Sequence, residues 1–181
     1  LLFVLVLTGV VVAGVPMLRR VVDTLSTIAD EVVINCRRDQ RDAFEAALLG
    51  VETDVRFAID ETPDEGPLSG LSTALTAVDT DFAIALGCDM PLAEKAALSS
   101  LLARMTPATD AVVPQTDAGP EPLHGIYRVA PTAGAASATL ADGQRSLRAL
   151  LDRLSVREVP VGERVSSRSV TSIDTEATRQ E

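Results

Sequence analysis

The sequence predicts an α/β domain, a mostly parallel sheet with helices on both faces, and three observations predict it. Short apolar runs alternate with segments of helical period through the first 115 residues, the pattern of strands joined by crossover helices. One run, Phe82 to Gly87, holds no polar residue, as expected of a central strand covered on both faces. The chain of 181 residues, 46% of them apolar, has the size of one domain with a substantial core.

Taken in order, Leu2 to Leu7 reads as the first buried strand. Leu18, Val21, Val22, Leu25 and Ile28 fall at helical spacing behind Pro16, a good first-turn residue. Glu31 to Asn35 is the next strand, Asp39 to Leu49 a helix and Val55 to Ile59 a strand. Leu68 to Val78 is a helix opened by Gly66 and Pro67, and Leu92 to Met105 follows the central strand as another. Beyond Ala111 to Pro114 the rhythm weakens: Pro120 and Pro122 flank a short loop, Gly125 to Val129 reads as a strand and Ser146 to Leu154 as a helix. The expected organisation is a single domain, with one half over 1–115 and the other over 116–181.

Charge and composition narrow the function. Sixteen basic against 26 acidic residues give a net charge of −10, the wrong sign for collecting phosphate backbones, and 3% aromatic residues leave few platforms for stacking bases. Nucleic acid is therefore not an expected partner. The apolar start, Leu1 to Leu18, is broken by Gly9, Gly14 and Pro16 and has no basic residue before it, so a membrane span is not expected either. Cys36 and Cys88 stand far apart without a metal-type spacing. They read as small buried hydrophobes, reduced in a cytoplasmic protein.

In open α/β sheets ligands bind outside the carboxyl ends of the strands, so the strand-to-helix turns are the places to search. Gly87-Cys88-Asp89-Met90-Pro91 is the most informative. A carboxylate just past a central strand suits Mg²⁺ when a nucleotide supplies the remaining oxygens; the alternative is that Asp89 only favours the next helix N-terminus. The second turn runs from Asp60 to Gly70. Backbone N–H groups at its helix start, with Gly66, Pro67, Leu68 and Gly70, suit a polar ligand edge, and Asp60 suits the N–H donors of a guanine; a solvated acidic turn is the alternative. Asn35 faces the same rim, or simply caps a turn. His124 is the only histidine, which argues against histidine triads and clusters. Nucleotidyl transfer to a phosphate fits such a set, because the nucleophile is already an anion and catalysis is alignment and charge neutralisation.

Six segments in order carry a resemblance: G-V-P-M-L-R-R-V-V-D at Gly14 to Asp23, D-E-V-V-I-N at Asp30 to Asn35, D-E-x-P-x-x-G-P-L-S-G-L at Asp60 to Leu71, G-C-D-M-P at Gly87 to Pro91, E-P-L-H-G-I-Y at Glu121 to Tyr127 and G-Q-R-S-L-R-A-L-L at Gly143 to Leu151. Together they resemble the molybdenum cofactor guanylyltransferases, in the Rossmann-like nucleotidyltransferase group of nucleotide-diphospho-sugar transferase type. The resemblance implies Mg²⁺-dependent transfer of GMP from GTP to molybdopterin, with pyrophosphate released and a molybdoenzyme as a delivery partner. It makes Asp89 the metal-binding and catalytic aspartate, places Asn35, Asp60 and the Gly66 to Gly70 turn on the nucleotide, and leaves Leu7 and Gly9 as remnants of the first-strand loop. On the acceptor side it points to His124, Arg145 and Arg148, and it offers Asp174 as a second metal contact.

One departure stands out. The family's glycine-rich phosphate loop, with its Arg and Lys, is missing where Leu7-Thr8-Gly9 passes into Val10 to Gly14. Either a loop between Leu7 and Val10 is left out of the sequence, which a Cα separation well over ~3.8 Å there would reveal, or it is deleted. In the second case the protein would bind nucleotide without turnover. A cytidylyltransferase, or a transferase using another phosphorylated acceptor such as a sugar phosphate, is the alternative among enzymes.

Overall fold

The structure, a computed structural model, describes residues 2–6, 11–12, 15–60, 66–162 and 164–173, with backbone alone at 2–6, 11–12 and 15–16. The expected chain gap between Leu7 and Val10 lies outside the described residues. Strand β1 (Leu2–Val6) is followed by a short pair, β2 (Val11–Val12) and β3 (Val15–Pro16), and by helix α1 (Met17–Leu25). Next come β4 (Glu31–Arg37), a 3₁₀ turn (Arg38–Gln40), α2 (Arg41–Ala47), β5 (Asp54–Asp60), α3 (Pro67–Thr76), β6 (Phe82–Gly87) and α4 (Lys95–Leu102). The remainder is β7 (Ala111–Thr116), β8 (Gly119–Pro120), β9 (His124–Arg128), α5 (Val129–Ala141), α6 (Leu147–Leu151) and β10 (Val156–Pro160).

The main sheet has the order β10-β7-β9-β6-β1-β4-β5, with β8 paired to β7. β1 lies parallel to both β4 and β6, β5 parallel to β4, and β10 parallel to β7; β9 runs antiparallel between β6 and β7. Alternate strand residues divide between two cores, as a period of two requires. Val32, Ile34, Ile84, Leu86, Val112 and Ile126 pack with Val21, Leu25, Leu98 and Leu101 on one face. On the other face Val33, Ala83, Ala85, Val113 and Tyr127 pack with Leu68, Leu71, Leu75 and Leu150. This is the expected α/β architecture, and the sheet runs unbroken across residue 115.

Among the elements that differ from the sequence reading are α4, α5 and β10. The helix expected from Leu92 begins only at Lys95, because Met90 to Ala93 form a turn closed by Ala93 N–H donating to Met90 O, 3.1 Å. Helix α5 carries too little side-chain contrast to show a period, since between Val129 and Leu140 its sequence is Ala, Thr and Ser interrupted by Pro131 and Gly134. Pro131 sits in its first turn, where no backbone N–H bond is lost. β10 is an edge strand with Arg157, Glu158 and Pro160 exposed, so only Val159 betrays its buried side.

Candidate active site

Strand register decides which side chains share the rim. Val6 pairs with Asn35 on one side and with Gly87 on the other, and Arg37 pairs with Asp60. Asn35, Asp60 and the Gly87 to Asp89 turn therefore stand together at the carboxyl ends of neighbouring parallel strands. Asn35 is buried and donates from Nδ2 to Ala58 O at 3.2 Å, which fixes the orientation of its amide. Asp60 and Asp89 are both partly exposed.

The Asp89 turn is tightly built. Gly87 N–H donates to Leu123 O at 2.8 Å, and Met90 N–H donates back to Gly87 O at 3.2 Å. A Cβ on Gly87 would collide with Asp89 Oδ1; the carboxylate lies over the glycine, and the missing side chain makes room for it. Glu121 faces the same carboxylate. Burial raises its pKa above the ordinary value, an N–H bond from Leu123 (3.1 Å) opposes the rise, and the Asp89 charge adds to it.

α3 starts at Gly66 with φ of 87°, a conformation that disfavours any side chain, and Pro67 supplies the first helical residue. Leu68 and Gly70 are buried, and Gly66 is exposed at the rim. Arg145 packs its backbone against Gly66: a Cβ there would approach Arg145 O at 3.3 Å.

Beyond β6 the rim opens into a cleft of about 1130 Å³, lined by Gln115 to Ala118, Glu121, Pro160 to Gly162 and the turn of Ser166, Ser167, Val170 and Thr171. Among the described residues its lining carries two carboxylates, Asp117 and Glu121, and no basic side chain.

The three acceptor-side residues do not converge. His124 is fully buried, with Nε2 at 3.3 Å from Ser169 Oγ, and burial lowers its pKa to about 4. The burial of His124 has a simple reason. His124 shares a face of β9 with Ile126, and that face turns into the first core beside Leu86. Arg145 is exposed, sits beside the α3 start and donates to Leu140 O at 3.0 Å. Arg148 reaches the opposite way, with Nη2 at 3.5 Å from Ala118 O at the cleft. Leu7, Gly9 and Asp174 lie outside the described residues. Sequence reasoning missed Gln115 and Ser169 as neighbours of the site. It also passed over Glu121, although that residue opens the E-P-L-H-G-I-Y segment. Among the described residues no group of three His, Cys, Asp or Glu side chains is placed to hold a metal ion. Asp89 with Glu121 nearby offers hard oxygen donors, which suit Mg²⁺ when a substrate triphosphate contributes the rest.

By fold the molecule is of the doubly wound α/β class: a sheet covered on both faces, whose parallel strand ends bring acidic and amide side chains to an open crevice where ligands bind in such folds. Comparison with known proteins makes this specific. Residues 8–159 match the family model of the MobA-like NTP transferase domain. A protein of Natronomonas pharaonis named "Probable molybdenum cofactor guanylyltransferase" is 40% identical over 171 residues, covering 93% of this chain and 83% of its own. The molybdopterin-guanine dinucleotide biosynthesis protein A of Archaeoglobus fulgidus superposes with a TM-score of 0.67 at 21% identity, covering 89% and 84% of the two chains. A 4-diphosphocytidyl-2C-methyl-D-erythritol synthase of Anaerococcus prevotii does so with 0.79 at 16% identity, covering 97% and 91%. The chain belongs to the MobA-like NTP transferase domain family and is a nucleotidyltransferase.

Proposed function

We propose that this protein transfers GMP from GTP to molybdopterin, forming the guanine dinucleotide and releasing pyrophosphate, with Mg²⁺ held at Asp89. The observation that carries the reading is the Asp89 turn. A partly exposed carboxylate sits at the lip of the central strand, between the nucleotide rim and the cleft, in a chain 40% identical to a protein named for this activity.

Asn35, Asp60 and the Gly66 to Gly70 turn would orient the nucleotide: Asp60 accepts from guanine N–H groups, and α3 brings a helix N-terminus to the rim. Leu7 and Gly9 belong to the same reading. The acceptor enters the cleft, whose polar lining of Gln115, Thr116, Ser166 and Ser167 suits the ring of molybdopterin. Arg148 at the cleft wall and Arg145 beside the nucleotide turn then face anionic parts of the two substrates. When bound, Mg²⁺ supplies neutralisation of the triphosphate charge, and Asp174 is a further candidate contact for it. Alignment of an already charged nucleophile is the remaining requirement, and it is met by rigid strand ends. Cys36 and Cys88 are buried and not joined in a disulfide, in keeping with a cytoplasmic reaction, where a molybdoenzyme would take up the product.

The test is pyrophosphate release with GTP, CTP, ATP and UTP, each with molybdopterin, with and without Mg²⁺. GTP alone should support turnover, and only with the metal. Strict use of CTP would overturn the base assignment, turnover with a sugar phosphate would overturn the acceptor, and nucleotide binding without turnover would select a protein that only binds.

A further inference from the structure

Ser169 is fully buried although it belongs to a turn close to the end of the described chain. Its hydroxyl joins three segments remote in sequence. Glu94 N–H, just ahead of α4, donates to Ser169 Oγ at 3.0 Å, and the same oxygen pairs with His124 Nε2 at the start of β9, 3.3 Å away. His124 Nδ1 has no partner among the described residues, so Ser169 is the side chain that anchors this ring.

The turn around Ser169 is braced from within. Ser169 N–H donates to Ser166 O at 3.0 Å and to Ser166 Oγ at 3.1 Å, and Thr171 Oγ1 donates to Ser167 O at 2.8 Å. Four residues beyond Ser169, Ile173 N–H donates to Asp89 O at 2.8 Å. One turn thus does two things: Ser166, Ser167, Val170 and Thr171 form a wall of the cleft, and Ile173 holds the backbone of the Asp89 turn from outside. That backbone is also where crowding at Gly87 governs the position of the carboxylate.

We propose that Ser169 is a positioning residue: by seating the C-terminal turn on His124 and the entry to α4, it keeps Ile173 on the Asp89 carbonyl and sets the Asp89 carboxylate for transfer. The inference rests on the transferase reading above. Loss of such an anchor misplaces the reacting groups without removing any of them, a defect that lowers kcat more than nucleotide affinity.

The experiment uses the full chain and three variants: Ser169→Ala, Ser169→Thr and Ile173→Pro, the last removing the N–H that meets Asp89. Amide hydrogen exchange is read over 88–94, 166–173 and the central strand, beside kcat and KM for GTP. Ser169→Ala should speed exchange over 88–94 and 166–173 and leave 82–87 protected. It should lower kcat about tenfold with KM for GTP within about twofold of wild type, and Ser169→Thr should restore both. Ile173→Pro should lower kcat similarly without disturbing 124–128. Wild-type kcat in either Ser169→Ala or Ile173→Pro overturns the proposal, as does a fall in kcat with unchanged exchange over 88–94. If Ser169→Ala does not fold, Ile173→Pro decides by the same criterion. A wild type that transfers no nucleotide refutes the transferase reading; the tether is then judged by exchange over 88–94 alone, and no change there overturns it.

Discussion

The two sides of the rim are built by different rules. On the side of β1, β4, β5 and β6, each candidate residue ends or follows its own parallel strand, and register alone sets Asn35 and Gly87 on either side of Val6. On the side of β7, β9 and β10, the cleft is assembled from Gln115 to Glu121, Pro160 to Gly162 and Ser166 to Thr171, joined across an antiparallel strand. The first side is a local consequence of strand and turn. The second exists only once distant segments dock. Substitutions on the first side should therefore remove chemistry and spare the fold, and those on the second should act through packing or acceptor affinity.

The largest expected effect falls on the first side. Asp89→Asn keeps the shape of the turn and removes its charge, and it should lower Mg²⁺-dependent transfer by about a hundred- to a thousand-fold, a loss of several kcal/mol of charge stabilisation. Circular dichroism and the thermal midpoint should stay near wild type. Full activity in this variant would remove Asp89 from the site.

Next comes His124, on the second side. Its folded-state pKa of about 4 lies below the ordinary 6.5, because burial disfavours the charged ring. The folded protein resists protonation where the unfolded chain accepts it. The neutral ring's contribution is therefore complete above about pH 6.5 and is lost as pH falls toward 4, on the order of 3 kcal/mol in all. Glu121, with its pKa raised, works in the opposite direction. Denaturant unfolding across that range should show a shallower acid loss in His124→Asn than in wild type; identical slopes would refute the assignment.

The smallest effects distinguish the two arginines. Arg148→Ala should raise the acceptor KM severalfold and leave that of GTP unchanged, whereas Arg145→Ala, beside Gly66, should move the KM of GTP instead. Each surface cation contributes roughly a kcal/mol or less. A shared effect on acceptor alone would restore the single acceptor site that the sequence suggests.

Much of this was legible beforehand. Phe82 to Gly87 is a strand in the structure with the same bounds, because a run without polar residues has one stable place in an α/β fold. The Asp89 turn was legible for a related reason: turn chemistry is local, and its glycine and carboxylate are neighbours in sequence. α5 was not, since Ala, Ser and Thr bury or expose at similar cost and give no period. Glu121 stood inside a quoted segment, yet its nearness to Asp89 follows from β9 lying antiparallel beside β6, a relation no short window contains.

From residue order alone came the alternation of strands and helices, the central strand and the polar turns at strand ends, all set by periods of two and 3.6 and by Gly and Pro acting within a few residues. Tertiary structure alone decided that His124 faces the core, that Arg145 and Arg148 part company, and that Ser169 and Ile173 brace the Asp89 turn. These outcomes depend on which face of a strand is covered and on which distant segment covers it. Burial and hydrogen bonding across long stretches of chain settle such choices after the elements have formed.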